Sequence, residues 1–161
     1  MQFTKQKMDK AIALEILRWT YEEPYDFYNN EATEESINEL LDGFYEAVYG
    51  DGTLVGFLCA GAAAQVPKGI AEGAYPEGFI DIGLGMNPEL TGQGNGQQFF
   101  SYAASAIQSE HPGLRLRLTV AEFNARAIHL YKKFGFMEAH KFSTDAAVFI
   151  VMKQQGQELL T

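Results

Sequence analysis

Met86-Asn87-Pro88-Glu89-Leu90-Thr91-Gly92-Gln93-Gly94-Asn95-Gly96-Gln97 decides how this chain is built. It closes the apolar run Phe79–Met86 and opens Gly96–Glu110, where Phe99, Phe100, Ala103, Ala106 and Ile107 lie on one helical face. A strand therefore enters an amphipathic helix through a turn holding three glycines. Such a turn suits an anion, because glycines let the backbone approach a ligand while the first N–H groups of the helix point at it. The same glycines also suit a tight strand-to-helix turn that holds nothing. Two phosphate motifs are excluded: no Gly-Lys-Ser/Thr ends the turn, and Gln97 stands where Gly-x-Gly-x-x-Gly needs its third glycine.

Working outward, Phe3–Lys7 reads as a short strand and Met8–Trp19 as a helix with Ile12, Ile16 and Trp19 on one stripe. After the aromatic, acidic stretch Tyr21–Asn30, Thr33 is the N-cap of a second helix whose buried stripe is supplied by Ile37, Leu40, Leu41 and Phe44. Phe44–Tyr49 and Thr53–Ala60 flank Gly50-Asp51-Gly52 as a hairpin. Ala62–Gly78, with two prolines and three glycines, reads as a loop. Beyond the glycine turn and its helix, Leu114–Val120 alternates as a strand covered on one face, Asn124–Phe134 is helical, and Phe136–Phe142 and Ala147–Met152 are closing strands. The expected order is β-α-α-β-β-β-α-β-α-β-β, an α/β domain over residues 1–153 with about seven strands in a mixed sheet and about four helices. Residues 154–161 read as a polar tail that frays.

With 161 residues the chain can bury a core without disulfides or metal. An apolar fraction of 47% beside 20% charged residues excludes a disordered chain, and no apolar run approaches the roughly 20 residues of a membrane helix. Charges scattered through the first 20 residues interrupt any signal-peptide core, so a cytoplasmic location is expected. The lone Cys59 and three dispersed histidines offer no metal-ligand spacing. Residues 1–60 carry 12 acids against four bases, and Tyr21–Glu46 holds nine carboxylates with no Lys or Arg. Nucleic acid is a poor partner for such a surface, whereas a cationic ligand is attracted by it; a plain solvated acidic face reads equally well.

Pro88 followed by Gly92-Gln93-Gly94-Asn95-Gly96 resembles the Gln/Arg-x-x-Gly-x-Gly/Ala segment of the GCN5-related N-acetyltransferases (GNAT). Asn124-Ala-Arg-Ala127-Ile-His-Leu130-Tyr131-Lys-Lys133-Phe-Gly135-Phe136 is similar to that family's Asn-x-x-Ala-x-x-Leu-Tyr-x-Lys-x-Gly-Phe. The two segments span Met86–Phe136, and the element order agrees with the family's fold; Thr91 departs from the pattern, standing in place of Gln or Arg. The resemblance implies an acyl-CoA-dependent N-acetyltransferase with acetyl-CoA as co-substrate and no metal. It implies that the pantetheine arm pairs with backbone near Leu84 and Met86 and that the diphosphate sits on the amides of Gln93, Gly94, Asn95, Gly96 and Gln97, with Thr91 and Gly92 in the same cradle. It further implies Asn124 as a pantetheine contact, Lys133 near the 3′-phosphate end, and Tyr131 as the general acid for the departing thiolate.

Each of these residues has a plainer reading: Asn124 an N-cap, Tyr131 a core residue with its hydroxyl at the rim, Lys133 part of an exposed face. Asp81 is the candidate base, unless its alternation with Ile80 and Ile82 turns it to solvent. Glu22, Glu23, Tyr25 and Asp26 are the candidate acceptor-binding residues, placed there because the family's acceptor side is lined by the segment between the first two helices. The acceptor is a small-molecule amine or a protein amino group; no nucleic acid or membrane partner is expected, and a homodimer through the aromatic strands near the C-terminus is left open. A CoA-binding sensor without turnover is the second reading.

Overall fold

Strand β1 (Phe3–Lys7) and helix α1 (Lys10–Leu17) open a computed structural model that describes residues 1–156. Asp9 caps α1, its carboxylate accepting the Ile12 N–H at 2.8 Å. Thr33 caps α2 (Glu34–Leu41) in the same way through the Ser36 N–H, with Glu34 and Glu35 in the first turn where the helix dipole favours negative charge. Strands β2 (Tyr45–Gly50) and β3 (Thr53–Ala60) form the hairpin; Asp51 and Gly52 both take positive φ, as a two-residue turn of this hand requires.

A short helix α3 (Pro67–Ala71) follows, then β4 (Phe79–Met86), α4 (Asn95–Glu110), β5 (Arg115–Ala121), α5 (Ala125–Lys133), β6 (Phe136–Ser143) and β7 (Val148–Gln154). The strands make one mixed seven-stranded sheet in the order β1-β2-β3-β4-β5-β7-β6. The β4–β5 pair is parallel, and its register runs Phe79–Arg115, Ile80–Leu116, Asp81–Arg117. The other registers, β1–β2, β2–β3, β5–β7 and β6–β7, are antiparallel. Among the described residues no helix is long and apolar enough to cross a membrane.

Four expectations need correction. Of the expected buried stripe of α2, Leu40 is buried, but Leu41 is 38% exposed and Phe44 is 62% exposed, beyond the helix end at Leu41 and past Gly43, whose φ of 100° turns the chain out of the helix. The segment Ala62–Gly78 is not all loop: it holds a 3-10 turn at Gly61–Ala64 and α3. Pro67 acts there as a helix starter, because the first turn needs no N–H from it, and Gly73 with φ 72° ends the helix. Strand β5 is buried on both faces, Leu116, Arg117 and Leu118 in succession, because it lies inside the sheet and its arginine is paired. Gln154, expected in the polar tail, belongs to β7; residues 157–161 of that tail lie outside the described residues.

The chain divides into two compact units: Met1–Ala60 with Leu84–Ala103, and Gly61–Gly83 with the chain from Ala104 onward. The first is centred on Met8, Ile12, Ala13, Ile16, Leu17, Leu40, Ala47 and Leu54, with Trp19, Tyr45 and Phe57 packed against them. In the second, Ala74, Phe142 and Val151 pack with Val66, Tyr75 and Phe149.

The second unit also buries a charge pair. Arg117 and Asp81 are each 2% exposed. Arg117 Nε donates to Asp81 Oδ1 at 2.8 Å and Nη2 to Oδ2 at 2.7 Å, a two-pronged fit of guanidinium to carboxylate. Arg117 Nη1 donates to Pro76 O at 2.6 Å, Gln65 Nε2 to Asp81 Oδ2 at 2.8 Å, and the guanidinium lies 5.3 Å from the ring centres of Tyr75 and Phe79. The pair ties the Gln65–Pro76 segment to β4 and β5 at the rung where their parallel register ends. Burying two charges is costly and removing one partner more so. Arg117→Met is therefore expected to lower stability in urea unfolding by about 3–5 kcal/mol, and adding Asp81→Leu to recover most of that loss. A loss below about 1 kcal/mol would contradict this account of the pair.

Candidate active site

The residue after β4 ties the strand end to its neighbour. Asn87, 8% exposed, donates its main-chain N–H to Val55 O on β3 at 2.7 Å and its side-chain Nδ2 to Leu54 O at 3.0 Å. Its Oδ1 accepts the Glu89 N–H at 3.0 Å and so starts the 3-10 turn Pro88–Leu90. Stranding the partner of such a buried bond costs about 1–3 kcal/mol. In a trans peptide the C=O and the following N–H point to opposite sides. With Asn87 N–H directed at β3, Met86 O is presented on the other edge of β4, where it accepts the Tyr21 hydroxyl at 2.7 Å.

The glycine turn begins one residue later and is cross-braced by its own side chains. Thr91 Oγ1 donates to Pro88 O at 2.9 Å, Gln93 Nε2 to Glu89 O at 2.9 Å, and Asn95 Nδ2 to Leu90 O at 3.1 Å. Three successive carbonyl oxygens are thus tied into the turn. Gly92 and Gly94 take φ of 74° and 81°, a region that side chains disfavour. A Cβ built on Gly94 would meet nothing within 4 Å, so the turn faces open space there. Gly92, Gln93 and Gly94 are exposed, and the first N–H groups of the 16-residue α4, from Asn95 on, follow at once. An exposed bend of main-chain donors with its nearest carbonyls tied back fits a diphosphate, and it does so without a lysine. Thr91 spends its hydroxyl inside the turn, which accounts for a short side chain at this position.

Leu84 and Met86 lie half-buried on the last stretch of β4. Beside them Gly85 has a packing role: a Cβ there would run into the Phe57 ring, which lies near Trp19 and Tyr45 at centroid distances of 6.5 and 6.1 Å. Tyr45 has its phenol raised well above the ordinary range by burial, and then by Cys59.

The acidic stretch folds as a tight loop with a 3-10 turn at Tyr25–Tyr28. Glu22, Glu23 and Asp26 are exposed on it, while Tyr21, Tyr25 and Tyr28 are half-buried. Tyr21 N–H donates to Asn29 Oδ1 at 2.7 Å, which closes the loop end to end. The carboxylates are therefore carried on an aromatic base, Tyr21 against Tyr28 and Phe27 against Tyr28, each pair edge-on.

In the second unit, Asn124 caps α5, its Oδ1 accepting the Ala127 N–H at 3.1 Å. Tyr131 is half-buried on α5 with its ring 6.4 Å from that of Phe136, and Lys133 is exposed in the last turn. Asp81 does not face solvent. Both of its oxygens are engaged by Arg117, and one also by Gln65, so an alternating pattern concealed an ion pair. Among the described residues no group of three His, Cys, Asp or Glu side chains is arranged to hold a metal ion. Sequence reasoning gives Tyr21 only as one of four aromatics, with Tyr25, Phe27 and Tyr28, that could surround a cation, and it does not single out Asn87. Asn before Pro at a strand end was a usable signal for Asn87, but a 65-residue hydrogen bond from Tyr21 leaves no local trace.

No curated protein is significantly similar to the chain in sequence. Among solved structures, the aminoglycoside acetyltransferase AAC(6')-Ib in complex with coenzyme A matches with a TM-score of 0.73 at 17% identity, over 97% of this chain and 96% of that one. A spermidine N-acetyltransferase SpeG chimera from Vibrio cholerae and hSSAT matches with a TM-score of 0.67 at 19% identity, over 96% of this chain and 95% of that one. An uncharacterized protein from Bacillus halodurans has a TM-score of 0.76 at 15% identity, over 95% of this chain and 83% of that one. At these identities the likeness speaks for the fold. The model of the acetyltransferase (GNAT) family matches residues 11–136, most of the chain and both of its motifs, and the chain belongs to this family of acyl-CoA-dependent N-acetyltransferases.

Proposed function

We propose that the protein transfers the acetyl group of acetyl-CoA to a primary amine on a small cationic molecule, by direct attack in a ternary complex. The observation that carries this reading is the braced turn after Pro88, with carbonyls 88–90 tied back by side-chain donors and the exposed Gly92–Gly94 leading straight into the first turn of α4. The exposed carboxylates at Glu22, Glu23 and Asp26, with no Lys or Arg between residues 21 and 46, support a cationic acceptor. The structural relatives include enzymes named for aminoglycosides and for spermidine, both polyamines.

Acetyl-CoA supplies the thioester carbonyl and a thiolate leaving group. The amides of Gln93–Gln97 hold the diphosphate, with Lys133 toward the 3′-phosphate, and main-chain groups near Leu84 and Met86, with a hydrogen bond from Asn124, orient the pantetheine arm. Met86 N–H, on the same edge of β4 as its carbonyl, polarises the thioester carbonyl and holds the oxyanion that develops. Glu22, Glu23 and Asp26 bind the acceptor ammonium, which gives one proton to solvent before nitrogen attacks. The N–C bond forms first and puts the charge on the carbonyl oxygen; as that oxyanion collapses the C–S bond breaks, Tyr131 gives its phenolic proton to the sulfur, and the proton the nitrogen must still lose passes through solvent to restore the phenol, leaving an amide and the free thiol. Asp81 is assigned no part in this sequence, because its oxygens are committed to Arg117.

Thiol release from acetyl-CoA against spermidine, kanamycin, free amino acids and a lysine peptide tests the reading. Wild type is expected to turn over with at least one cationic small amine, and Tyr131→Phe to lower kcat by about 100-fold or more. Coenzyme binding without thiol release for any amine would instead support a sensor.

A further inference from the structure

One side chain joins the acidic loop to the strand end that precedes the turn. Tyr21 closes the loop through its N–H to Asn29 Oδ1, packs edge-on against Tyr28 at 6.3 Å, and donates its hydroxyl to Met86 O at 2.7 Å. The direction of the last bond is certain, since a carbonyl has no proton to give. Burial, and then Tyr28, push this phenol up to about 12, so it keeps its proton and remains a donor throughout any ordinary assay range. Its proton is committed to the main chain, which separates it from the role given to Tyr131. The accepting oxygen lies on the edge of β4 away from β3, because the opposite end of the same peptide is bound to Val55.

We infer that Tyr21 is a positioning residue: its bond to Met86 O holds the loop bearing Glu22, Glu23 and Asp26 against the strand end that receives the thioester, so that the acceptor nitrogen is presented to the acetyl carbon. This rests on the reading given under Proposed function. Such placement acts on capture of the amine, and so on its KM, because the carboxylates hold the ammonium before its nitrogen meets the acetyl carbon. Because the loop and the strand end are linked, binding at one is felt at the other by the same factor.

Tyr21→Phe removes the hydroxyl and keeps the ring against Tyr28. With spermidine and kanamycin as the probe amines, the variant is expected to raise the amine KM about three- to tenfold, the worth of one hydrogen bond. The calorimetric Kd for CoA is expected to change less than about twofold, because the diphosphate contacts are untouched. In the wild type, saturating CoA is expected to slow hydrogen exchange of the Tyr25 and Asn29 amides, which are bonded to Glu22 O and Asp26 O within the loop. An unchanged amine KM in an active variant, an equal loss of CoA and amine affinity, or loop exchange indifferent to CoA would each overturn the inference alone. Absence of thiol release by the wild type with every amine would overturn the proposed function, and this inference with it.

Discussion

The peptide linking Met86 to Asn87 is bound at both ends, its N–H to Val55 on β3 and its C=O to Tyr21. Asn87 adds two more bonds through its side chain, one back to Leu54 and one forward into the turn. The strand end, the acidic loop 21–29 and the start of the glycine turn are thereby fixed relative to one peptide plane. Each neutral bond contributes only about 0.5–1.5 kcal/mol net, but a buried group left without its partner costs more, so the arrangement is kept by the penalty for breaking it.

The turn that follows is made favourable for an anion by subtraction as much as by addition. Main-chain N–H groups at a helix start attract negative charge, yet the carbonyls of the preceding bend would repel it. Thr91, Gln93 and Asn95 each spend a side-chain donor on one of those carbonyls. A chain with a formal charge of −9 can in this way offer a place for a diphosphate without a lysine in the turn, while the carboxylates of loop 21–29 remain available to a cation.

Much of this was legible in the sequence. Period-2 and period-3.6 patterns located the strands and long helices, because most of those elements bury one face; Phe79–Met86 and Thr53–Ala60 match the observed strands end for end. The glycine spacing at 92, 94 and 96 and the run Asn124–Phe136 marked the candidate site and the family. What failed did so where tertiary partners override local signals. Pro67 and Gly73 look like breakers yet bound a helix; Arg117 looks like the polar face of β5 yet is buried by pairing with Asp81; and Tyr21 looks like one aromatic among several until its hydroxyl is found on Met86. Long-range hydrogen bonds have no sequence period.

The central claim is that main-chain donors of this turn grip the coenzyme's diphosphate, and amide chemical shifts on titration with CoA test it most directly. Glycine amides resonate apart from most others, so Gly92, Gly94 and Gly96 can be followed individually, with pantetheine, which lacks the diphosphate, as the comparison. The account predicts the largest downfield shifts at Gln93–Gln97 with CoA and none of that size there with pantetheine. Saturable CoA binding that leaves those amides where they were, or equal shifts with the two compounds, would contradict it.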